Sequence, residues 1–534
     1  MAILVGIATA LHTYFSWGAW QPRPVVSDEF SYVLQARIFA SGHWVAPPPP
    51  SEPAFQQSHV IVRPVLASKY PPGHALLLAI GSLMRAVWVI PLALTGISGA
   101  VLFIVLAECG STFAALCGWA YWLGDPLALR FRPGYWSENT SGLTWILAWW
   151  LVTRWRASPR RRYLVGLAVV VGWCAITRPL TAIALALPLA IYLLKPIGRS
   201  HAWKAVIVAG VAGAGVVSLL GAANYTVTGN PFKTAFALFA EQYLPFDKLG
   251  FHLDSTTPRF RLAAPNVAAY DEIGSAHVGH VPARLPSIAK ERLSELAFAE
   301  WGGWRLFVTP LIAFGLWGLP AIGWLAVANG TAVFLIYLCW AHWPGWTIYY
   351  FEALPVFAFA ISNGLERLGR RMPRGRVTFA VASGFVVLYV AGISRTTKGW
   401  RKIHTVNARP GAAFDDALKA LPFAKSVVFV RYSDDKHGHP NWIVNSPTWQ
   451  RDRVWVVNSW GPSIDRELMA LSPQRQPLLF DEKTRTLMPY RELSDSLVAG
   501  DEEAGATPQN AQTASFVAEA DRRVGTWSVS GSNR

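Results

Sequence analysis

Long uninterrupted apolar blocks restrict the folds open to this chain more than any other feature of its sequence. Apolar residues make up 52% of the 534 residues and charged residues only 15%, whereas soluble domains carry about a quarter charged residues. A helix needs roughly 20 apolar residues to cross the hydrocarbon core, where every backbone polar group must be paired within the segment. The pattern predicts about eleven membrane-spanning helices, over residues 1–20, 88–107, 111–130, 140–154, 163–177, 179–195, 204–224, 304–320, 322–341, 346–365 and 377–395.

The net charge of +16 is concentrated in short loops between these blocks. Short basic loops next to membrane spans stay in the cytoplasm, so the charge is explained without any nucleic-acid partner. The basic loops are 154–162, 195–204 and 366–376. All three fall on the same side of the predicted membrane, which supports the predicted order of spans.

Two long hydrophilic stretches, 21–87 and 225–303, then face the opposite, outer side. This assignment requires that the short apolar segment 71–85 is a re-entrant or interfacial helix and not a full span. One observation opposes it, because a basic cluster follows the last block on the predicted outer side. The cluster consists of Arg395, Lys398, Arg401 and Lys402.

The segment 27–42 opens the first outer loop and carries two adjacent acids. Ser27 is a good N-cap and Gly42 a good helix stop, and apolar residues recur between them at helical spacing. These apolar residues are Phe30, Val33, Leu34 and Ile38. The segment predicts an amphipathic helix on the outer membrane surface. Asp28 and Glu29 would lie in its first turn, as a catalytic base, as metal ligands, or simply as capping acids.

Four other outer segments place charges near the ends of spans. Lys69 and His74 flank a Pro-Pro-Gly break before an apolar helix, where the lysine could contact a phosphate or merely snorkel to the interface. Glu138 lies in the outer turn 131–139. Arg178 separates two spans, where a cation is costly unless it is paired or solvated. In the last of these four segments, Tyr350 precedes Glu352, which is either a functional group or a partner for Arg178.

These segments resemble the polyprenyl-phosphate-sugar-dependent membrane glycosyltransferases of the GT-C fold. The closest likeness is to the family 39-like group of protein mannosyltransferases and lipid A aminoarabinose transferases. The resemblance covers residues 1 to about 395 and rests on four motifs. They are Asp28-Glu29 with Tyr32, Lys69-Tyr70-Pro71-Pro72, Thr177-Arg178-Pro179, and Tyr349-Tyr350 with Pro355.

The resemblance implies roles for individual residues. Asp28 matches the aspartate that activates the acceptor, with Glu29 and Glu138 as further catalytic acids. Lys69 and Arg178 match positions that bind the donor phosphate. The implied substrate pocket also contains Tyr32, His74, Tyr350 and Glu352. Ser68 stands where some relatives carry an acid, which leaves the need for a divalent metal ion open.

The implied fold class is an all-α polytopic membrane protein, GT-C-like, and the sequence pattern after residue 395 adds a small C-terminal α/β soluble domain. Its implied partners are a polyprenyl-phosphate sugar donor, membrane lipid, and an extracytoplasmic glycan, lipid or protein acceptor. The implied location is a bacterial inner or plasma membrane, with the active site on the extracytoplasmic face. A sugar transfer would need a base for the acceptor hydroxyl and cations for the departing phosphate. Alternatives are a lipid-linked glycan flippase or transporter, a non-catalytic glycolipid-binding protein, and a polymerase or ligase that uses diphosphate-linked glycans.

Residues 396–495 change character and alternate helix-like with strand-like patterns. The predicted elements are a helix at 414–421, strands at 426–430, 453–457 and 476–480, and a helix at 463–471. The run 434–439 contains two aspartates and two histidines and could bind a metal, although such a loop usually only turns. Residues 496–534 are polar and are predicted to be disordered. All four cysteines lie in or beside apolar blocks, so neither a disulfide framework nor a zinc site is predicted.

Overall fold

A computed structural model describes residues 1–19, 22–200, 202–301, 303–371, 376–433 and 439–490. The predicted disordered tail, 496–534, and most of the predicted metal run, 434–438, lie outside these residues. The described chain is mostly helical, with a small sheet near its C-terminal end. Its longer helices are α1 Ala2–Trp17, α2 Ser27–Ala40, α3 Pro72–Leu83, α4 Val89–Cys109, α5 Thr112–Leu123, α6 Pro126–Phe131, α7 Glu138–Ala157, α8 Arg161–Ala175, α9 Pro179–Ser200, α10 Trp203–Thr228, α11 Ala235–Tyr243, α12 Ala264–Val278, α13 Leu285–Trp301, α14 Thr309–Leu316, α15 Ala321–Tyr337, α16 Pro355–Arg371, α17 Arg376–Lys419 and α18 Pro462–Ala470.

Every predicted apolar block coincides with one of these helices or with a broken pair of helices. Among the described residues, three helices are long and apolar enough to cross a membrane: Val89–Cys109, Pro179–Arg199 and Trp203–Thr228. Two bent pairs raise this number to five if each pair is one span. The pairs are Arg305–Leu316 with Ala321–Tyr337, bent by 116°, and Thr347–Ala353 with Pro355–Arg371, bent by 42°.

The short apolar segment in the first outer loop forms α3, which has 12 residues. A helix of that length extends about 18 Å, well short of the hydrocarbon thickness of roughly 30 Å. The structure therefore agrees with the expectation that 71–85 does not cross as one straight helix.

The core of the bundle surrounds two fully buried tryptophans of α7, Trp145 and Trp149. The Trp149 indole donates a hydrogen bond to the side-chain oxygen of Asn329 in α15 at 3.0 Å. The amide nitrogen of Asn329 donates in turn to the carbonyl oxygens of Ala184 and Leu185 in α9, both at 2.9 Å. A buried polar side chain is tolerated there because its donor and acceptor groups are both used, and it connects three helices.

The prediction of a surface-lying amphipathic helix at 27–42 is wrong in two respects. A helix does form and Gly42 ends it with a φ of 82°, as predicted. However, Val26 and not Ser27 is its N-cap residue, and most of α2 from Glu29 to Ile38 is buried on all sides. The cause is long-range packing, because α2 lies against α3 and the two-stranded ribbon formed by β1, Val60–Ile61, and β2, Ala67–Ser68.

The C-terminal region contains a four-stranded sheet in the order β4-β3-β5-β6. The strands are β3 Ser426–Arg431, β4 Val454–Asn458, β5 Gln476–Asp481 and β6 Thr486–Pro489. β3 pairs in parallel with β4 and β5, and β6 pairs antiparallel with β5. Three strands and α18 match the sequence-based prediction. The separate helix predicted at 414–421 is instead the last part of α17, which runs without a break for 44 residues.

The sheet packs directly on the first outer loop. The indole of Trp455 meets the ring of Phe55 edge-on, with centroids 5.5 Å apart. The Asn458 amide donates to the carbonyl oxygen of Gln56 at 2.9 Å, and the Trp460 indole donates to that of Pro53 at 2.8 Å. The C-terminal sheet therefore lies on the same side of the bundle as the loop that carries Asp28. The basic cluster after the last block does not place the sheet on the opposite side.

Candidate active site

A large cavity of about 1200 Å³ lies where the first outer loop meets the ends of the bundle helices. Its wall is built from residues far apart in sequence, contributed by both outer loops, by the turns before α7 and α9, and by α17. Six of the residues singled out from the sequence line it together: Asp28, Glu29, Tyr32, Lys69, Glu138 and Arg178. A concave site with convergent polar groups is the expected form of a small-molecule or substrate site.

Asp28 occupies the first turn of α2 and keeps 32% of its side chain exposed to the cavity. Its Oδ1 accepts a hydrogen bond from the Tyr70 hydroxyl at 2.5 Å. Its Oδ2 lies 3.6 Å from Nε2 of His59. The ring of Tyr70 stacks on Tyr32, with centroids 4.7 Å apart. The carboxylate is thus oriented from two sides while one face stays open to a substrate.

The surroundings of Asp28 keep it ionised. Burial acts to raise its pKa, but His59, the Tyr70 hydrogen bond and Lys69 together lower the pKa below the ordinary aspartate value. Burial and Lys69 lower the pKa of His59 itself to about 3. Because the imidazole is therefore neutral near pH 7, Tyr70 and Lys69 are the groups that stabilise the Asp28 carboxylate there.

Lys69 is almost fully buried, with 3% of its side chain exposed. Its ammonium lies over the rings of Phe236, Phe239 and Tyr70, at 4.6, 4.8 and 5.3 Å from their centroids. Its Nζ is 3.5 Å from Oδ2 of Asp247 in the second outer loop. Aromatic faces and one carboxylate thus stabilise a cation that points into the cavity.

Arg178, which also lines the cavity, connects several elements. Its guanidinium pairs closely with Glu138, and its Nε lies 3.6 Å from Oε1 of Glu352. The same side chain donates to the hydroxyls of Thr181 at 3.2 Å and Tyr337 at 3.1 Å. A buried guanidinium needs such partners to offset the loss of water, and its planar fork suits phosphate oxygens as well as carboxylates.

The segments that carry the two cations are joined at Gly73. Its backbone N–H donates to the carbonyl oxygen of Ile176 at 2.8 Å. A Cβ on Gly73 would lie 2.9 Å from that oxygen and would overlap the Thr177 hydroxyl. Only glycine permits this approach, which explains the glycine in the Pro-Pro-Gly motif. Lys69 and Arg178 are thereby held on the same cavity.

Glu29, the neighbour of Asp28, is used differently. Its Oε2 accepts from the backbone N–H groups of Val25 at 2.8 Å and Val26 at 3.2 Å. Its Oε1 accepts from the backbone N–H of Tyr135 at 2.7 Å. This carboxylate caps α2 and fastens it to the turn before α7, as the capping interpretation of the sequence allows.

Three residues assigned to the substrate pocket do not line the cavity. His74 lies behind Tyr32, where its ring bonds to Thr140 and to the carbonyl oxygen of Tyr135, both at 2.8 Å. Tyr350 turns away and bonds to Nε2 of His342 at 3.1 Å, whereas its neighbour Tyr349 does line the cavity. Glu352 is buried behind Arg178 and contacts the Ser141 hydroxyl.

The donor set for a metal ion is poor. No group of three His, Cys, Asp or Glu side chains is arranged to hold a metal ion among the described residues. Ser68 bonds to the Ser31 hydroxyl at 2.7 Å, so this position contributes no carboxylate. At the end of the predicted metal run, Nδ1 of His439 lies 2.7 Å from Oε2 of Glu482.

Sequence reasoning missed Asp247, His59 and Tyr349. Tyr349 belongs to a motif that was recognised, and the choice between two adjacent tyrosines depends on how the helix turns there. Asp247 and His59 stand in no motif. Asp247 contacts Lys69, which is 178 residues away in the sequence, and His59 contacts Asp28, which is 31 residues away. The only signal for Asp247 in the sequence was its position as an acid in the second outer loop.

No protein-family model matches the sequence, and no curated protein matches it significantly. Solved structures do match. ArnT from Cupriavidus metallidurans in the apo state aligns over 89% of this chain and 92% of its own, at 15% identity and a TM-score of 0.52. The same protein bound to undecaprenyl phosphate aligns over 90% of both chains, at 15% identity and a TM-score of 0.51. An Archaeoglobus fulgidus oligosaccharyltransferase aligns over 90% of this chain and 68% of its own, at 14% identity and a TM-score of 0.46.

The alignments with the two ArnT structures cover about nine-tenths of this chain. This confirms the resemblance inferred from the sequence motifs at the level of the fold. Together with the apolar helices, it identifies the chain as a membrane protein with the GT-C fold.

Proposed function

We propose that this protein transfers a sugar from a polyprenyl-phosphate-linked donor to an acceptor on the extracytoplasmic face of the membrane. One observation carries the proposal. Asp28, ionised and oriented by Tyr70, shares a cavity with two buried cations, Lys69 and Arg178. Sugar transfer from a lipid phosphate requires these groups together, a base for the acceptor and positive charge for the leaving group.

The reaction follows from this arrangement as a displacement at the anomeric carbon. Asp28 accepts the proton of the acceptor hydroxyl while the hydroxyl oxygen bonds to the anomeric carbon. The bond from that carbon to the phosphate oxygen breaks, through a state with oxocarbenium character. The electron pair leaves with the lipid phosphate, whose growing negative charge Lys69 and Arg178 stabilise. Glu29 acts here as a positioning residue for α2, and Glu138 as a partner of Arg178.

The lipid-phosphate part of the proposal has independent support. The ArnT structure of the same fold was solved with undecaprenyl phosphate bound. In this chain, Lys69 is buried among aromatic rings, and the fork of Arg178 faces the same cavity. A phosphate that reached both would exchange water for two charge-assisted contacts.

The proposed membrane topology has eleven spans within residues 1–395, and outer loops 21–87 and 225–303. Residues 396–495 then form a domain on the outer side, and the location is the inner or plasma membrane of a bacterium. The contacts between Trp455, Asn458 and the first loop support one side for both parts. A cysteine introduced at an exposed position such as Thr484 should react with an impermeant reagent in intact cells. Labelling only after lysis would reverse the orientation.

The decisive experiment compares wild-type protein with Asp28→Asn in lipid, given labelled polyprenyl-phosphate sugars and a membrane extract that supplies acceptors. We expect wild-type protein to move the label to a new product, and Asp28→Asn to lose at least about a hundredfold in rate. Asp254→Asn is the matched control, because Asp254 is paired with Lys248 outside the cavity. Full activity of Asp28→Asn would remove Asp28 as the base.

The flippase, glycolipid-binding and diphosphate-dependent alternatives make different predictions in the same assay. Bound donor that is never consumed would favour a binding protein or a flippase. Label that moves only from a diphosphate-linked glycan would favour a polymerase or ligase. No second function has a specific structural observation in its favour.

A further inference from the structure

The two buried cations proposed to bind the phosphate, Lys69 and Arg178, are already paired with carboxylates. Lys69 is 3.5 Å from Asp247. Arg178 is paired with Glu138 and lies 3.6 Å from Glu352. A phosphate that contacts Lys69 and Arg178 therefore also approaches the carboxylates paired with them. The electrostatic potential at the phosphate depends on how close these carboxylates stay to the two cations.

Donor and product of the proposed reaction differ in charge at the phosphate. The donor is a phosphodiester and carries one negative charge. Breaking the bond to the sugar leaves a phosphomonoester, whose second pKa is near 6 and whose charge is about −1.5 to −2 near neutral pH. The same cations that stabilise the leaving group would also hold the product, which must leave before another donor can bind.

We propose that Asp247 sets the preference of the cavity for the phosphodiester donor over the phosphomonoester product, and so promotes product release. The proposal rests on the proposed function and names a specificity-determining residue for it. Asp247 is suited to this role because its side chain is 6% exposed and lines the cavity beside Lys69. A second negative charge on a phosphate at Lys69 meets a carboxylate that water screens weakly.

The carboxylate has little freedom to move away. The Asp247 backbone N–H donates to the carbonyl oxygen of Leu244 at 2.9 Å, and the N–H of Lys248 donates to that of Phe246 at 2.7 Å. Phe246 itself is buried against Tyr270, with ring centroids 4.7 Å apart. This hydrogen-bonded turn therefore keeps the carboxylate of Asp247 beside Lys69 in the cavity wall.

The test measures binding and does not depend on turnover. Purified protein in lipid nanodiscs is titrated at pH 8 with undecaprenyl phosphate, a monoester, and with its methyl ester, a phosphodiester. In wild-type protein we expect the diester to bind more tightly. Asp247→Asn should tighten monoester binding roughly tenfold and diester binding clearly less, as expected for the loss of one nearby like charge.

Two control variants separate charge from structure. Asp247→Glu keeps the charge and should keep the wild-type ratio of the two dissociation constants. Asp254→Asn removes an aspartate in the same outer loop that pairs with Lys248 outside the cavity, and should change neither constant. Equal tightening of both lipids in Asp247→Asn, or no tightening of either, would overturn the proposal.

The outcome also distinguishes this inference from the proposed function. If both lipids bind with the expected ratios but no sugar is transferred from any donor, glycosyl transfer fails and the role of Asp247 in charge selection stands. If wild-type protein binds neither lipid, both proposals fail. If sugar is transferred and the ratio does not respond to Asp247→Asn, only the role of Asp247 fails.

Discussion

Tyr70 donates a hydrogen bond of 2.5 Å to Oδ1 of Asp28, although the two residues are 42 positions apart in the first outer loop. The contact links the two motifs of that loop, since Tyr70 follows Lys69, the lysine proposed to bind the donor phosphate, and Asp28 is the candidate base. It also fixes which Asp28 oxygen is occupied. Oδ2 lies beside the neutral ring of His59 and retains lone pairs for an acceptor hydroxyl.

The first prediction concerns the pH dependence of Asp28. Its pKa is lowered in spite of burial, in part by the Tyr70 hydrogen bond. A base must be ionised to accept a proton, so its activity is present above its pKa and is lost as pH falls through it. Tyr70→Phe removes one cause of the lowered pKa while the stack on Tyr32 remains. We expect the acid limb of kcat/KM against pH to move to higher pH in Tyr70→Phe.

A control for this pH profile is Tyr225→Phe, because Tyr225 is 61% exposed on α10. It should leave the acid limb where it is in wild-type protein. An unchanged limb in Tyr70→Phe, with lower activity at every pH, would mean that Tyr70 orients Asp28 without affecting its protonation.

The second prediction separates the two adjacent acids. Glu29 accepts three backbone hydrogen bonds, and a glutamine amide nitrogen would face backbone donors in place of an acceptor. Glu29→Gln should therefore cost about 1–3 kcal/mol of stability, measured as a lower midpoint of thermal unfolding in detergent. Asp28→Asn should leave that midpoint nearly unchanged. The surface variant Glu241→Gln is the control. Equal midpoints for Glu29→Gln and wild type would contradict the proposal that Glu29 fastens α2 to the turn before α7.

The helices of this fold could be predicted from sequence because apolar length is a local property. The break inside the block 111–130 was not predicted, although the sequence contains a signal for it. The block 111–130 is split into α5 and α6, where Asp125 caps α6 by accepting from the backbone N–H of Ala128 at 2.9 Å and Pro126 begins the helix. Those two residues are a start signal inside an otherwise apolar block. The burial of α2 was not predictable either, because its cover comes from distant parts of the chain.

The candidate site shows the same division. Asp28, Lys69 and Arg178 stand in motifs that sequence alone brings to attention, and the structure places them on one cavity. The sequence offered Glu352 as one possible partner for Arg178, and the other partners follow from contacts between distant parts of the chain. Asp247 reaches Lys69 across 178 residues, and Glu352 is placed behind Arg178 by the packing of α7 against the segment before α16. Sequence motifs therefore located the charged groups and one possible pair, Arg178 with Glu352, whereas the pairing of Lys69 with Asp247 is visible only in the structure.

The third prediction concerns the guanidinium of Arg178. Removing it would leave Glu138 and Glu352 buried without a cation and endanger folding, so the informative change is Arg178→Lys. The charge is kept, but the planar fork that can contact a carboxylate and a phosphate together is lost. We expect kcat/KM for the donor to fall roughly 10- to 100-fold, about 1.4–2.7 kcal/mol. Arg199→Lys, at an exposed position, should have no effect, and unchanged kinetics for Arg178→Lys would place the phosphate elsewhere.

The last prediction tests the close approach that brings the two cations to one cavity. Gly73→Ala puts a methyl group 2.9 Å from the carbonyl oxygen of Ile176 and against Thr177, so the start of α3 must move away from the turn that precedes Arg178. Lys69 would then separate from Arg178, and we expect undecaprenyl phosphate to bind about tenfold more weakly, since one cationic contact is lost. Gly399→Ala is the control, because nothing lies within 4 Å of its Cβ. Equal affinity in both variants would contradict the dependence of phosphate binding on this close approach.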